Sequence, residues 1–549
     1  LKKAAYILFF LSVFLLFWNT GISNRTEADD AFEYAWQVEH NGVGWLYHPH
    51  HLLYGAVAKD LYNGARLLGY DGRAYPMLCL LSALCGAGSV LMFFRFCYRR
   101  FSLRPVSSLL CSGLLMFSYG FWRYANEAEV IVPACFIMLC ALYFAVSPRQ
   151  TAVGAAAAGM FCGVSVLFHV LNGIPVFLAV PLFYLLYKNW KGLVIHLAAS
   201  FGAVVAGYAG IFLLESDQVL SSAGIRPALE SGFLFKGLVG FSQCVISSNF
   251  MLGYQAVRDT LVSLFPSRML LEELYMGRRL PGGLVVGASV TLVVFSVFLI
   301  GTAVYALYLL FRKESQRKRD RVGTADGWRT LVVTVVWFCG YAGAVLVLEP
   351  GNPEVWVMGL VPFWLVFCGL VVAPLSKQNV LWPVLVLTGL LAFHNYLGGM
   401  LPLKDPKGDY NQQKAAWIFR NAKPDDLVLT AGNPVFERYL RYYCPAREEY
   451  LHFWNDGWLE HPEISLQVLQ LRQKTGTVYF LGDVFKQSAS LTLRFPAKTA
   501  NIARFAQAVR PFVVKVVDNE FGGIYALRTE HLGANIPSAS NLPSSGELK

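Results

Sequence analysis

Acids, histidines and aromatic residues crowd one polar stretch, Glu27 to Tyr54, read as EADDAFEYAWQVEHNGVGWLYHPHHLLY. Asp29 and Asp30 open it, Tyr34 stands four residues after Asp30, and His48, His50 and His51 close it. The stretch follows an apolar run, and ionisable groups beside a span are expensive unless they line a working site. A carboxylate at a poorly hydrated surface can act as a general base, and such a base needs an orienting partner nearby. A second group lies at Phe121 to Pro133, where Arg123 and Glu127 are four residues apart and Glu129 precedes the next apolar run. His169 sits at the end of a further run, and Glu349 and Glu354 flank another.

Each of these has a plainer reading. Asp30 with Glu33 three residues on makes a fair capping box. Arg123 and Glu127 suit a helix-face pair. His48, His50 and His51 are too close together to be helical i,i+4 metal ligands, so orientation or interfacial packing fits them better. Glu349 and Glu354 could cap the spans they flank. His196 and His394, alone in apolar runs, read as core histidines, and Asn24-Arg25-Thr26 is a glycosylation sequon only where a host modifies it.

The elements that must hold these groups are membrane spans. The 549-residue chain is 55% hydrophobic and 15% charged with a mean hydropathy of +0.46, which excludes an ordinary soluble domain. The net charge of +11 lies in short clusters between apolar runs rather than on one basic face, which argues against nucleic acid as a partner. Of the 11 cysteines most lie inside apolar runs, with no C-x-x-C spacing, and read as small core residues rather than a disulfide framework or a metal site.

Runs of roughly span length extend over 4–18, 74–96, 106–121, 130–146, 151–168, 173–187, 193–214, 284–311, 330–348, 355–375 and 380–397, about eleven spans. No small-x-small pattern follows the first, so it is expected to be an uncleaved span. With Lys2 and Lys3 cytoplasmic, alternate loops carry Arg95 to Arg104, Arg149, Lys188 and Lys191, Arg312 to Arg321, and Lys377, as the positive-inside rule requires. The acidic loops, 24–72 among them, then share the external face. The long loop 215–283, with Arg258, Arg268, Arg278 and Arg279, is external too, and its length exempts it from the charge rule. Leu52, Leu53, Ala56, Val57, Leu61, Ala65 and Leu68 recur at helical spacing, which predicts a helix lying in the interface. After residue 402 the chain turns polar, and alternating helix and strand patterns predict a small external α/β domain over 403–532, followed by a disordered Ser, Pro and Asn-rich tail over 533–549.

The run from Asp30 through Tyr34 to His48-Pro49-His50-His51-Leu52 resembles the first external loop of the GT-C superfamily of integral membrane glycosyltransferases, especially the protein O-mannosyltransferase and lipid A aminoarabinose transferase branches. That loop begins with an acid pair, has an aromatic residue four positions on, and later carries a His/Lys-Pro-Pro-Leu segment. Ala31 here replaces the second acid, with Asp29 a possible substitute, and His50 replaces the second proline. The segment Phe121 to Pro133 is similar to the second external loop. The resemblance implies a GT-C fold with a polyprenyl-phosphate sugar as donor, membrane lipid around it, and a protein, lipid or glycan as acceptor. It also implies Asp30, Asp29 or Glu129 in catalysis. Tyr34, His48, His50, His51, Arg123, Glu127, His169, Arg268, Arg278, Arg279, Glu349 and Glu354 are then expected to bind substrate. Arginine suits the departing phosphate because its fork of donors fits the oxygens. A divalent metal at that phosphate is compatible with the sequence but not required by it. The rival classes are a transporter or flippase of lipid-linked sugars, which would show repeated halves that are absent here, and a glycan polymerase or ligase, which would use external arginines such as Arg258 to Arg279.

Overall fold

A computed structural model describes residues 2–23, 30–40, 46, 48, 50–147, 151–219, 282–314, 325–348, 353–406, 409–423, 425–430, 434–443, 469, 476–486, 496–519 and 522–528. The chain divides into two compact units: Leu1–Ile22, Tyr34–Ser267 and Pro281–Lys404 form one, and Ser23–Glu33, Arg268–Leu280 and Asp405–Lys549 form the other.

The first unit is helical. In chain order it contains α1 (Lys2–Asn19), most of α2 (Ala31–His40), α3 (Tyr54–Leu67), α4 (Ala74–Arg100), α5 (Pro105–Met116), α6 (Tyr119–Tyr124), α7 (Ile131–Ala145), α8 (Ala152–Phe168), α9 (Val180–Leu186), α10 (Trp190–Val219), α11 (Gly282–Glu314), α12 (Ala325–Leu348), α13 (Pro353–Phe367), α14 (Ala373–Lys377), α15 (Trp382–Asn395) and α16 (Leu401–Leu403). Among the described residues four helices are long and apolar enough to cross a membrane, and seven shorter apolar helices accompany them. The chain is an integral membrane protein of α-helical class.

Several expected spans are broken rather than continuous. The run 106–121 splits at Phe117 and Ser118 into α5 and α6. The break is tolerated because side chains take over the backbone groups it frees: Asn395 Nδ2–H donates to the Phe117 carbonyl at 2.7 Å, and the Ser118 hydroxyl donates to the Leu114 carbonyl at 2.7 Å. The segments Pro175–Ala179, Cys368–Val372 and Tyr396–Met400 are π-helical, each continuous with an α-helix. Gly86 lets α4 approach the turn after α6, since a Cβ there would lie 2.9 Å from the Ala125 Cβ and 3.1 Å from the Phe17 ring. The helix expected in the interface is α3; it buries Tyr54, Gly55, Ala58 and Tyr62 and leaves Leu67 and Leu68 exposed at its end.

The second unit carries a four-stranded sheet of order β1-β2-β4-β3, with β1 (Leu427–Leu429), β2 (Val478–Leu481), β3 (Val513–Asn519) and β4 (Gly522–Leu527). β1 runs parallel to β2, pairing Leu427 with Val478, and β4 is antiparallel to both β2 and β3. Strand alternation sends side chains to two faces. Leu429, Val478 and Phe480 pack with Ile502, Phe505 and Val509 of α20 (Pro496–Val509). Val428, Leu481 and Ile524 pack with Ile418 of α17 (Tyr410–Asn421) and with Phe436 and Leu440 of α18 (Pro434–Tyr443). A short helix, α19 (Gly482–Phe485), follows β2. Asp409 caps α17 by accepting from the Gln412 amide at 2.9 Å, and Tyr439 donates to its other oxygen at 2.7 Å. This small α/β unit is the composition the polar segment predicts; the tail 533–549 lies outside the described residues.

Candidate functional site

Main-chain hydrogen bonds set the histidine segment in place. The Val170 amide donates to the His50 carbonyl at 2.8 Å, and the Leu53 amide donates to the Leu167 carbonyl at 3.0 Å, so the segment is strapped to the end of α8. Locally, the His51 amide donates to the His48 carbonyl at 3.1 Å and the His50 amide to His48 Nδ1 at 3.3 Å. The result is a close group of imidazoles: the His48 and His51 rings stack with centroids 4.3 Å apart, and His50 meets His48 edge-on at 5.1 Å. His169 joins them from the end of α8, where its Nδ1 accepts from the Leu171 amide at 3.3 Å.

Burial together with the neighbouring imidazoles disfavours protonation here. His51 is held far below the ordinary histidine range, at about 2, first by burial and then by His48 and His169. His169 is held at about 3 by burial and then by His50 and His48. Both rings are therefore neutral near pH 7. Tyr34 on α2 shares a hydrogen bond of 3.1 Å with His51 Nε2, and its ring meets Tyr54 edge-on at 5.2 Å.

Tyr54 also lies within electrostatic range of two carboxylates. Its hydroxyl is fully buried and is pushed well above the ordinary tyrosine range by burial, with the Glu129 and Glu127 carboxylates adding to the effect. Glu127 and Glu129 lie in the turn after α6, both buried, and the Tyr75 hydroxyl donates to Glu127 Oε1. The Glu129 amide donates to the Glu127 carbonyl at 2.9 Å, and the Ser82 hydroxyl to the Glu129 carbonyl at 3.3 Å. Arg123, also buried, has its guanidinium 4.9 Å from the centre of the Tyr124 ring. Two indoles brace this corner: Trp122 donates to Thr20 Oγ1 and Trp364 to Ser118 Oγ, each at 2.8 Å. The segment similar to a second external loop is packed into the interior of its unit, because α6 is buried along its whole length.

Within the first unit the fold therefore brings Tyr34, His48, His50, His51 and His169 together, with Glu127 and Glu129 near enough to Tyr54 to influence its hydroxyl electrostatically. Glu354 stands in the first turn of α13, partly buried. In the second unit Asp30 pairs with Arg438 of α18 at 2.5 Å, and Glu33 pairs with Arg441 at 2.9 Å. Asp29, Arg258, Arg268, Arg278, Arg279 and Glu349 lie outside the described residues.

Sequence reading missed Tyr54 and Tyr75 as members of the site and Arg438 as a partner of Asp30. For Arg438 a signal existed: two acids three apart, Asp30 and Glu33, are matched by two arginines three apart on a helix, Arg438 and Arg441.

No family model matches the chain, and no curated protein matches it. Among solved structures it is similar to ArnT from Cupriavidus metallidurans bound to undecaprenyl phosphate, with 13% identity and a TM-score of 0.47 over 97% of this chain and 99% of that one. It is also similar to the same protein in the apo state, with 13% identity and a TM-score of 0.46 over 96% of this chain and 98% of that one.

Proposed function

We propose that the chain is an inverting glycosyltransferase that moves a sugar from a polyprenyl-phosphate donor to a hydroxyl or amine of a protein, lipid or glycan at the external face of the plasma membrane. The observation that carries this reading is the meeting of separate polar motifs around Tyr54: the Tyr34 and histidine group on one side, the Glu127 and Glu129 turn on the other. Those motifs are the ones whose sequence resembles the external loops of GT-C enzymes.

In this reading Asp30, four residues before Tyr34, takes the proton from the acceptor as it attacks the anomeric carbon. The bond from that carbon to the phosphate oxygen breaks, polyprenyl phosphate departs, and the configuration inverts. Glu129 and Glu127 are the second carboxylate pair, Glu127 held by the Tyr75 hydroxyl. Neutral His169, whose Nδ1 already accepts from the Leu171 amide, keeps an Nε2–H donor and adds no charge, which suits binding of a sugar hydroxyl. Arg123 is the described candidate for the donor phosphate, with Arg268, Arg278 and Arg279 as further candidates in the long loop.

The experiment is direct. Purified protein supplied with a polyprenyl-phosphate sugar and a crude acceptor fraction should release polyprenyl phosphate. A transporter would leave the donor intact, and that outcome would sink the proposal.

A further inference from the structure

Three cysteines from distant parts of the sequence converge in the apolar core of the first unit, away from every residue used above. Cys97 is on α4, Cys111 on α5, and Cys368 opens the π-helical segment after α13. All three are fully buried, and their sulfur atoms lie within 4.8 Å of one another. Each of the three thiols is within hydrogen-bonding reach of the other two. The elements around them are tied: the Ser107 and Ser376 hydroxyls share a hydrogen bond of 2.6 Å between α5 and α14, and the Leu103 amide donates to the Cys97 carbonyl at 3.2 Å.

We infer that Cys97, Cys111 and Cys368 form a three-sulfur site for a monovalent thiophilic cation of the Cu(I) type. Metal–sulfur bonds of about 2.3 Å in a trigonal arrangement place the sulfurs about 4 Å apart, so the observed spread closes with a shift of under about 1 Å. Thiols select soft cations such as Cu(I), whereas structural zinc asks for four ligands. No histidine or carboxylate joins the three sulfurs among the described residues. Charge points the same way. Replacing one thiol proton by a monovalent cation leaves one thiolate, two neutral thiols and no net charge, which an apolar interior tolerates. The proton leaves with binding. Cys368 also begins a π-helical segment, a distortion that frequently marks functional positions. Cys97 is three residues from the end of α4 and Cys111 six from the start of α5, so the site lies within roughly 9 Å of helix ends that carry Arg99, Arg100 and Arg104.

The test uses the full chain purified in detergent, titrated anaerobically with Cu(I) against a competing chelator, beside a variant in which Cys97, Cys111 and Cys368 are all serine. Wild type should bind one equivalent more than the variant, with three sulfur neighbours seen by X-ray absorption. A Cys→Ala set, checked by size-exclusion profile, guards against misfolding of the serine variant. Equal Cu(I) uptake by wild type and both folded variants would overturn the site. Retention of Zn(II) in preference to Cu(I) at these cysteines would overturn its three-ligand, monovalent character.

Discussion

At the scale of single residues the sharpest expectation concerns Asp30. A positioned base contributes about 100-fold to 10,000-fold, so Asp30→Asn should cut turnover by that order while sparing donor binding. Stability should barely move, because the pair with Arg438 is partly exposed on both sides and such pairs are worth about 0–1 kcal/mol. Near-normal turnover in the purified variant would remove Asp30 from the chemistry. His51 yields a pH prediction whose sign follows from its lowered pKa. The unfolded chain takes up the proton near pH 6.5 while the folded chain refuses it down to about 2, so the stability due to a neutral His51 is complete above pH 6.5 and is lost as pH falls below it. Between pH 7 and pH 5 that loss is about 2 kcal/mol. His51→Gln should show a shallower fall of the melting temperature over this range, and an identical fall would refute the assignment.

At the scale of elements, the corner between α6 and α7 depends on a tyrosine from another helix. Tyr75, in the first turn of α4, donates to the buried Glu127 carboxylate. Removing a partner from a buried charged group costs about 1–3 kcal/mol or more, so Tyr75→Phe should lower thermal stability by that order while leaving the helix content measured by circular dichroism unchanged. No change in melting temperature would show that other groups carry Glu127. This corner also shows what sequence reading sees and misses. Arg123, Glu127 and Glu129 stood out because charge is conspicuous among apolar residues. Their burial did not, because the neighbouring residues Phe117, Ser118 and Trp122 are tied by Asn395, Trp364 and Thr20, residues 100 to 280 positions away whose types carry no local signal. The same blindness hid the three π-helical segments: hydropathy registers how apolar a run is and is indifferent to one extra residue in a turn.

At the scale of the molecule, the helical class and the α/β character of the polar segment were legible because both rest on composition and period, which survive any detail of packing. The histidine group was half legible. His48, His50 and His51 are neighbours in sequence, whereas His169 arrives only because α8 ends beside them. The three cysteine positions on α4, α5 and the segment after α13 left no spacing signal at all. Charge alternation between loops leads to a topology prediction: cysteines introduced at Ser315 and Ser488 should be labelled from opposite sides of the membrane, Ser315 from the cytoplasm, and labelling from one side would upset the span arrangement. The division of the chain into two compact units leads to another. A chain ending after Lys404 should still insert and give a monodisperse profile in detergent, and aggregation of that product would show that the two units cannot be separated.

The strap that holds the histidine segment is made by main-chain atoms, with His50 and Leu167 offering carbonyls and Val170 and Leu53 offering amides. Such bonds are indifferent to side-chain identity. Related chains are thereby at liberty to exchange the groups at 48, 50 and 51 for others and still present them at the same spot, so this strip of backbone works as a mounting rail whose side chains can be rewritten by point substitution without rebuilding the fold.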